Sequence, residues 1–370
     1  MQAVSAADSV SLAIQRTRDL LFRPFRWGTY LKLGLVALLT EGVGSNFRSS
    51  TSHRIPSIHK TITYATFHSA TAQITPIQIT PIQAAPIQAA PIQITPIQVA
   101  AIVAAALLAI VLTLVICYLI TRLRFAFFHC LIHNTKEIRP GWRLYRAQAA
   151  RFFRLNVVVG LCFLLMTALV ALPFVAGFWR LAHETHAGGP PDLLMVLPLV
   201  LPLIPAILVL LLTGIVADLI LRDFMLPHFA LENASSGQAW FLVRARIKAE
   251  KRQFFVYALL RLILPVIATI GAFIVLMIPG LFLAGAVAAA EYAVHSAFAG
   301  ATGTAAVTRI LLEIFFGLLA FAFMLLASIC LGGPLSTGIR EYALLFYGGR
   351  YRALGDALYP PPPPTFAASA

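Results

Sequence analysis

Runs of apolar residues long enough to cross a lipid bilayer recur along this chain. A helix needs about 20 residues to cross a hydrocarbon layer roughly 30 Å thick. Of the 370 residues 59% are hydrophobic and only 11% are charged, whereas soluble domains have roughly 25% charged residues. These runs therefore predict an all-α fold, a polytopic transmembrane helical bundle of about six spans with interfacial amphipathic helices. The predicted spans are residues 30–44, 99–120, 155–179, 193–221, 254–278 and 310–332.

The basic residues lie in short segments between these runs, and the net charge is +14. In a membrane protein such segments favour the cytoplasmic side and attract anionic lipid headgroups. The two most basic connectors are residues 122–154 and 222–252. The pattern predicts a multi-pass protein of the cell (inner) membrane with both termini cytoplasmic. The predicted partner is the lipid bilayer, with anionic headgroups at the cytoplasmic face, and no nucleic acid; a protein partner is unknown.

The remaining segments divide the chain into regions of different composition. Residues 1–29 form a cytoplasmic N-terminus with an amphipathic helix that Pro24 ends. After the first span, residues 45–98 form an external spacer with Pro-Ile-Gln repeats, in which the frequent prolines predict extended chain. Residues 99–347 form a helical membrane domain with five spans, and residues 348–370 a disordered, proline-rich cytoplasmic tail. Residues 281–300 could be an external helix, a re-entrant segment or a further span.

The two basic connectors resemble each other. With an offset of ninety-nine positions, three residues of the first connector align with identical residues of the second: Phe125 with Phe224, His129 with His228, and Asn134 with Asn233. A similar match with an offset of ninety-eight aligns Trp142, Leu144, Arg146 and Ala147 with Trp240, Leu242, Arg244 and Ala245. The order span, basic connector, span therefore occurs twice in the same direction, which predicts a parallel internal repeat.

Three ionisable residues are candidates for a functional role at membrane depth: Asp218, Arg222 and Arg261. Charged side chains are costly there and often mark ion or substrate pathways. One interpretation is a local Asp218–Arg222 ion pair with Arg261 extending to the interface. The other is a substrate or proton pathway between the fourth and fifth spans.

Other polar residues do not form a recognisable catalytic, cofactor or metal motif. His183-Glu184-Thr185-His186 lacks the spacing of a His-Glu-x-x-His zinc site. His129 and His133 could share a helix face but have no third ligand. The cysteines (Cys117, Cys130, Cys162 and Cys330) lie in or beside apolar runs and predict packing residues, not a disulfide framework. The sequence therefore predicts no enzyme activity and no cofactor.

Three segments resemble a family of uncharacterised polytopic membrane proteins from bacteria and archaea. They are Leu21-Phe-Arg-Pro-Phe with Leu31-Lys-Leu-Gly34, Asp223-Phe-Met-Leu-Pro227 with Ser236-Gly-Gln-Ala-Trp240, and Gly333-Pro-Leu with Arg340-Glu-Tyr-Ala-Leu-Leu-Phe. The sequence departs from the family pattern at His228 and at Gly338-Ile-Arg340. The resemblance implies the membrane topology and implies no chemistry.

These observations favour a non-enzymatic membrane scaffold, assembly factor or partner-binding subunit. Basic amphipathic helices and an external proline-rich spacer suit such a role. The alternative is a small-solute or ion transporter with a pathway near Asp218 and Arg261, which the internal repeat favours.

Overall fold

The computed structural model describes residues 5–43, 96–185, 193–300 and 302–359. Two short π-helical segments occur, the first π-segment (Leu38–Val43) and the second π-segment (Ile220–Met225). The α-helices are α1 (Asp8–Phe22), α2 (Trp27–Ala37), α3 (Pro96–His133), α4 (Ile138–Leu144), α5 (Arg146–Thr185), α6 (Leu193–Leu219), α7 (Leu226–Leu231), α8 (Ser236–Ala249), α9 (Lys251–Ala297), α10 (Thr304–Gly348) and α11 (Arg352–Leu358).

Five helical stretches of the described residues are long and apolar enough to cross a membrane: Pro96–His133, Arg146–His183, Val196–Leu231, Lys251–Ala297 and Thr304–Gly348. These stretches match the last five predicted spans, of which only the fourth begins earlier, at Leu193 of α6, and the all-α class is confirmed. The predicted first span, 30–44, is not among the five. Its described residues, 30–43, form most of α2 and the first π-segment, and residue 44 lies outside the described residues.

The chain divides into two compact units, residues 1–47 with 116–370, and residues 48–115. In the larger unit the buried residues lie where the long helices meet the short ones. The end of α3, the start of α5, the second π-segment, the start of α9 and the end of α10 supply most of them. Thus α3, α6 and α10 end at this core, whereas α5 and α9 begin there. In the smaller unit the described residues, 96–115, are the first part of α3 and are exposed.

The N-terminal helix α1 occupies the segment predicted to form an amphipathic helix, and one of its faces is buried. Ser9, Ala13 and Thr17 are buried together with Leu20 and Leu21, whereas Ile14 is exposed. This face packs against α10, and small side chains allow the two helices to approach closely. The helix therefore buries its small-residue face against protein.

Helix α2 crosses α10 at two glycines. A Cβ atom added at Gly333 would lie 2.5 Å from the Cα atom of Gly34, a separation that real side chains do not reach. The Tyr30 hydroxyl donates to the Cys330 carbonyl at 2.6 Å near the same crossing. Only glycine fits at position 333, whereas an added Cβ atom at Gly34 would lie 3.2 Å from the Ile329 carbonyl oxygen, so Gly333 sets the distance between the helices.

The two halves of the predicted repeat have the same local structure. Asn134 and Asn233 both have a left-handed backbone, with φ of 50° and 56°, a conformation that asparagine tolerates better than most residues. Phe125 and Phe224 are both buried. Each asparagine follows a helical stretch that ends at the core and precedes a short helix and then a long apolar one.

Two predictions about the C-terminal half need correction. Residues 281–297 are neither a separate external helix nor a re-entrant segment, because α9 continues through Pro279 as one helix to Ala297. The tail predicted to be disordered from 348 is helical near its start, since Arg352–Leu358 form α11 and bury Leu354 and Leu358. The spacer 45–95 and residues 360–370 lie outside the described residues.

Candidate functional site

A cluster of ion pairs lies at the core between the two π-segments, and we name it the charged junction. Its members are Glu41, Arg124, Asp218, Arg222, Asp223, Arg261 and Arg340, with the Tyr257 hydroxyl and the Thr40 carbonyl. Glu41 lies in the first π-segment, and Arg222 and Asp223 in the second. The other members come from α3, α6, α9 and α10, so the junction joins the core ends of four long helices to α2.

Asp223 is the most buried carboxylate of the junction, with 1% of its surface exposed. Its Oδ2 accepts from Arg261 Nε at 3.0 Å and from the Tyr257 hydroxyl at 2.7 Å. Its Oδ1 accepts from Arg340 Nη1 at 3.0 Å. A buried carboxylate with several charge-assisted hydrogen bonds is compensated for the hydration it loses.

Glu41 and Arg222 form the second centre of the junction. Arg222 donates to Glu41 Oε2 at 2.9 Å and to Asp218 Oδ2 at 3.0 Å. Arg261 Nη2 also reaches Glu41 Oε2, at 3.3 Å, and so connects the two centres. Asp218 lies at the edge, with 32% of its side chain exposed.

The π-helical turns supply carbonyl oxygens to the junction as well as side chains. The Thr40 carbonyl accepts from Arg222 Nη2 at 2.8 Å and from Arg124 Nε at 3.2 Å. The Arg222 carbonyl accepts from Arg340 Nη1 at 2.9 Å. A π-turn changes the i→i+4 pattern of hydrogen bonds and is common at functional sites. Here both turns present backbone acceptors to arginine side chains of other helices.

The structure brings all three predicted site residues into this junction. Asp218 and Arg222 form the predicted local pair, whereas Arg261 pairs with Asp223 and Glu41 and does not extend to the interface. The sequence analysis missed Asp223, Glu41, Arg340, Arg124 and Tyr257. A signal was present, because each of the three family-like segments has an ionisable residue in or close to it.

A second polar cluster surrounds His228, at the departure from the family pattern. Its Nδ1 lies 3.1 Å from Glu232 Oε2, and its Nε2 lies 2.7 Å from the Tyr347 hydroxyl and 3.1 Å from Arg246 Nη1. This geometry fits a neutral ring that donates through Nδ1 and accepts at Nε2. The ring is fully buried and joins α7, α8 and α10.

Glu232 and Tyr351, at the edge of the His228 cluster, lie outside the candidate spans. Burial alone would raise the pKa of Glu232, but the hydrogen bond from His228 and the positive charge of Arg246 bring the pKa below its ordinary value. Burial raises the pKa of Tyr351 above its ordinary value. Arg246 also stacks on the Tyr351 ring, 4.7 Å from its centroid.

The other sequence candidates have structural surroundings of their own. The rings of His129 and His133 face each other at 4.5 Å. Across the described ranges, no group of three metal-ligating side chains could hold an ion. His183 contacts the Trp179 carbonyl at 3.0 Å, and His186 lies outside the described residues. Cys130 is buried, Cys330 is half-buried, and Cys117 and Cys162 are exposed; all four thiols are free.

Comparison with known proteins gives one match. No curated protein and no solved structure matches the chain. The match, to residues 4–357, is to a family described as Family of unknown function (DUF7544). It includes the α1–α2 segment, both π-segments and α10, which together supply most of the charged junction. Since the match extends over nearly the whole sequence, the chain belongs to this family.

Proposed function

We propose that this protein is a non-enzymatic scaffold, assembly factor or partner-binding subunit of the cell (inner) membrane, with both termini in the cytoplasm. The observation that supports the proposal is the ion pairing within the charged junction. Its carboxylates are paired with arginines of other elements, at distances of 2.9 to 3.3 Å for the closest contacts. Such pairs hold helices in one arrangement.

A transport pathway needs charged groups that can exchange partners with an ion or solute. Asp223 instead accepts from three side chains at once, and Glu41 contacts Arg222 and Arg261. Breaking a buried pair leaves an uncompensated charge and costs about 3–5 kcal/mol. The alternative of a small-solute or ion transporter is favoured by the internal repeat and by the partial exposure of Asp218.

The long helices also offer surface to partners. Exposed apolar side chains extend along α9 and α10, for example Phe273 at 67% and Phe321 at 64%. Within a membrane this surface faces lipid or other membrane proteins. A rigid junction with wide apolar helix faces suits a protein that positions other membrane components.

Complementation of a gene deletion separates the two functions. The Asp218→Asn variant removes the partly exposed charge and keeps the side-chain shape. A scaffold should keep its activity, because exposed pairs contribute about 1 kcal/mol or less. A well-expressed, membrane-inserted Asp218→Asn protein that fails to complement would contradict the scaffold and favour the transporter.

Photocrosslinking in living cells tests the scaffold directly. A photoreactive residue at Phe273 or Phe321 should give a discrete protein adduct, and deletion of the gene for that partner should reproduce the phenotype of deleting this protein. The matched control is Ile14, which is 65% exposed but lies on α1, outside the candidate spans. Lipid adducts alone at both span positions would contradict a protein-scaffolding role.

A further inference from the structure

An open apolar cavity of about 590 Å³ lies between α5, α6 and α8. Its volume is within the range of roughly 300–1,000 Å³ that is usual for ligand sites. The residues that line it are Leu155, Val159, Leu212, Thr213, Val216, Ala217, Ile220, Leu221, Met225, Ser236 and Trp240. Seven of the eleven are aliphatic, and Met225 and Trp240 are also apolar, so the cavity suits a hydrocarbon chain and offers little to a polar solute.

The cavity belongs to helices that have the length and composition of membrane spans. Leu155 and Val159 lie near the core end of α5, and Leu212 to Ile220 lie near the core end of α6 and into the second π-segment. Side chains at its edge, such as Leu212 and Val216, are exposed. Membrane lipid therefore has direct access to it.

The third wall, α8, is polar and basic. Ser236, Trp240 and Arg244 follow one another at intervals of four residues and so share one face of α8. Trp240 is 47% exposed, and tryptophan gathers at the headgroup level of membranes. Arg244 is exposed and lies one turn beyond Trp240. On α5, Arg151 precedes Leu155 by one turn and holds Asn233 near the start of α8.

We propose that this cavity binds one phospholipid from the leaflet nearest to the buried protein core. Its acyl chain would lie between α5 and α6, and its anionic headgroup beside Arg244. The apolar lining matches the chain, and the basic side chain complements the phosphate and a negative headgroup. This site is independent of the proposed scaffold function.

Tryptophan quenching by brominated lipid tests the proposal. The chain has four tryptophans, and Trp27, Trp142 and Trp179 are replaced by phenylalanine to leave Trp240 alone. A second protein keeps only Trp179, which is exposed on α5 away from the cavity. Each is reconstituted in vesicles of equal amounts of phosphatidylcholine and phosphatidylglycerol, with bromine on the acyl chains of one lipid at a time.

We expect brominated phosphatidylglycerol to quench Trp240 more strongly than brominated phosphatidylcholine does. The difference should correspond to about fivefold tighter binding of phosphatidylglycerol, because this is what one basic side chain near an anionic headgroup contributes. At Trp179, which Arg180 adjoins, any preference between the two lipids should be unchanged by Arg244→Gln and by Ala217→Phe. At Trp240, Arg244→Gln should remove the preference, whereas Arg252→Gln, at an exposed arginine at the start of α9, should retain it. Ala217→Phe should fill the cavity and weaken quenching of Trp240 by both lipids.

Three results would overturn the proposal. Equal quenching of Trp240 by the two lipids would show that the site does not select an anionic headgroup. Unchanged quenching in Ala217→Phe would show that no acyl chain enters the cavity. Absence of quenching at Trp240 would show that protein, such as a second copy of this chain, covers it. The Ala217→Phe variant must elute in detergent as the wild type does, because only a folded variant reports on the cavity.

Discussion

Asp223 accepts hydrogen bonds from two arginines and a tyrosine that belong to α9 and α10. Replacing it by asparagine keeps the side-chain size but leaves Arg261 and Arg340 without their closest carboxylate. We expect Asp223→Asn to destabilise the protein by about 3–5 kcal/mol, because an uncompensated buried charge remains. The midpoint of thermal unfolding in mild detergent measures the loss.

The matched control for Asp223→Asn is the same exchange at Asp218, five residues earlier. That carboxylate contacts Arg222 alone among the arginines of the junction and is partly exposed, so its removal should cost about 1 kcal/mol or less. Equal losses for the two variants would mean that burial does not decide the strength of these pairs.

Glu232 gives the protein a dependence on acidic pH. Its folded pKa lies below the ordinary value of about 4.3. A lowered carboxyl pKa contributes stability above the unfolded pKa, and this contribution is lost as the pH falls through the folded pKa. Between about pH 6 and pH 3, the unfolding midpoint of the wild type should fall more than that of Glu232→Gln. Parallel decreases for both proteins would assign the acid sensitivity to other groups.

Asp218 and Arg261 could be identified from the sequence because they lie inside apolar runs, where charge is conspicuous, and Arg222 because it follows Asp218 by one turn. Asp223 and Glu41 were missed because a charge at the end of a span looks like an ordinary interfacial residue. Their partners are distant in the chain: Glu41 pairs with Arg222 and Arg261, and Asp223 pairs with Arg340. A single sequence has no signal for pairs separated by more than a hundred residues.

Among the elements, the crossing of α2 and α10 depends on Gly333. A leucine there would place its Cβ atom against the backbone of Gly34, and overpacking of this kind typically costs about 1–3 kcal/mol. We expect Gly333→Leu to lower the unfolding midpoint in detergent and to expose α2 to protease. The control is Gly317→Leu on the same helix, where an added Cβ atom meets nothing within 4 Å.

If Gly333→Leu and Gly317→Leu behave alike, the close approach of the two helices does not contribute to stability. The crossing also shows what α2 packs against. Its glycine and tyrosine contacts are with the core part of α10, and the first π-segment directs Glu41 to the junction. Apolar composition predicted a membrane segment here, but it could not predict that this segment packs on α10 and contributes a carboxylate to the junction.

At the scale of the whole molecule, the apolar runs predicted the long helices because length and composition determine them directly. They did not predict where the helices end. Helix α10 extends beyond the predicted span 310–332 and into the core, where the Phe346 ring stacks on Tyr257 and meets Phe254 edge to face. Tertiary packing of these aromatic residues determines where the helix ends, and the hydropathy pattern of the sequence carries no information about that packing.

We expect the core to lie on the cytoplasmic side of the membrane, since both basic connectors and the helices α1 and α11 lie at this end of the spans. Helix α9 begins there and has 47 residues, so at about 1.5 Å per residue its far end, near Ala299, lies on the opposite side of a bilayer.

A cysteine at the exposed Ala147 should be protected from a membrane-impermeant thiol reagent in intact cells, whereas one at Ala299 should react. Both are introduced into a protein in which the four native cysteines are replaced, and both should react once the membrane is permeabilised. The opposite pattern would invert the orientation, and the basic core would then face outward, against the bias that places arginine and lysine in the cytoplasm.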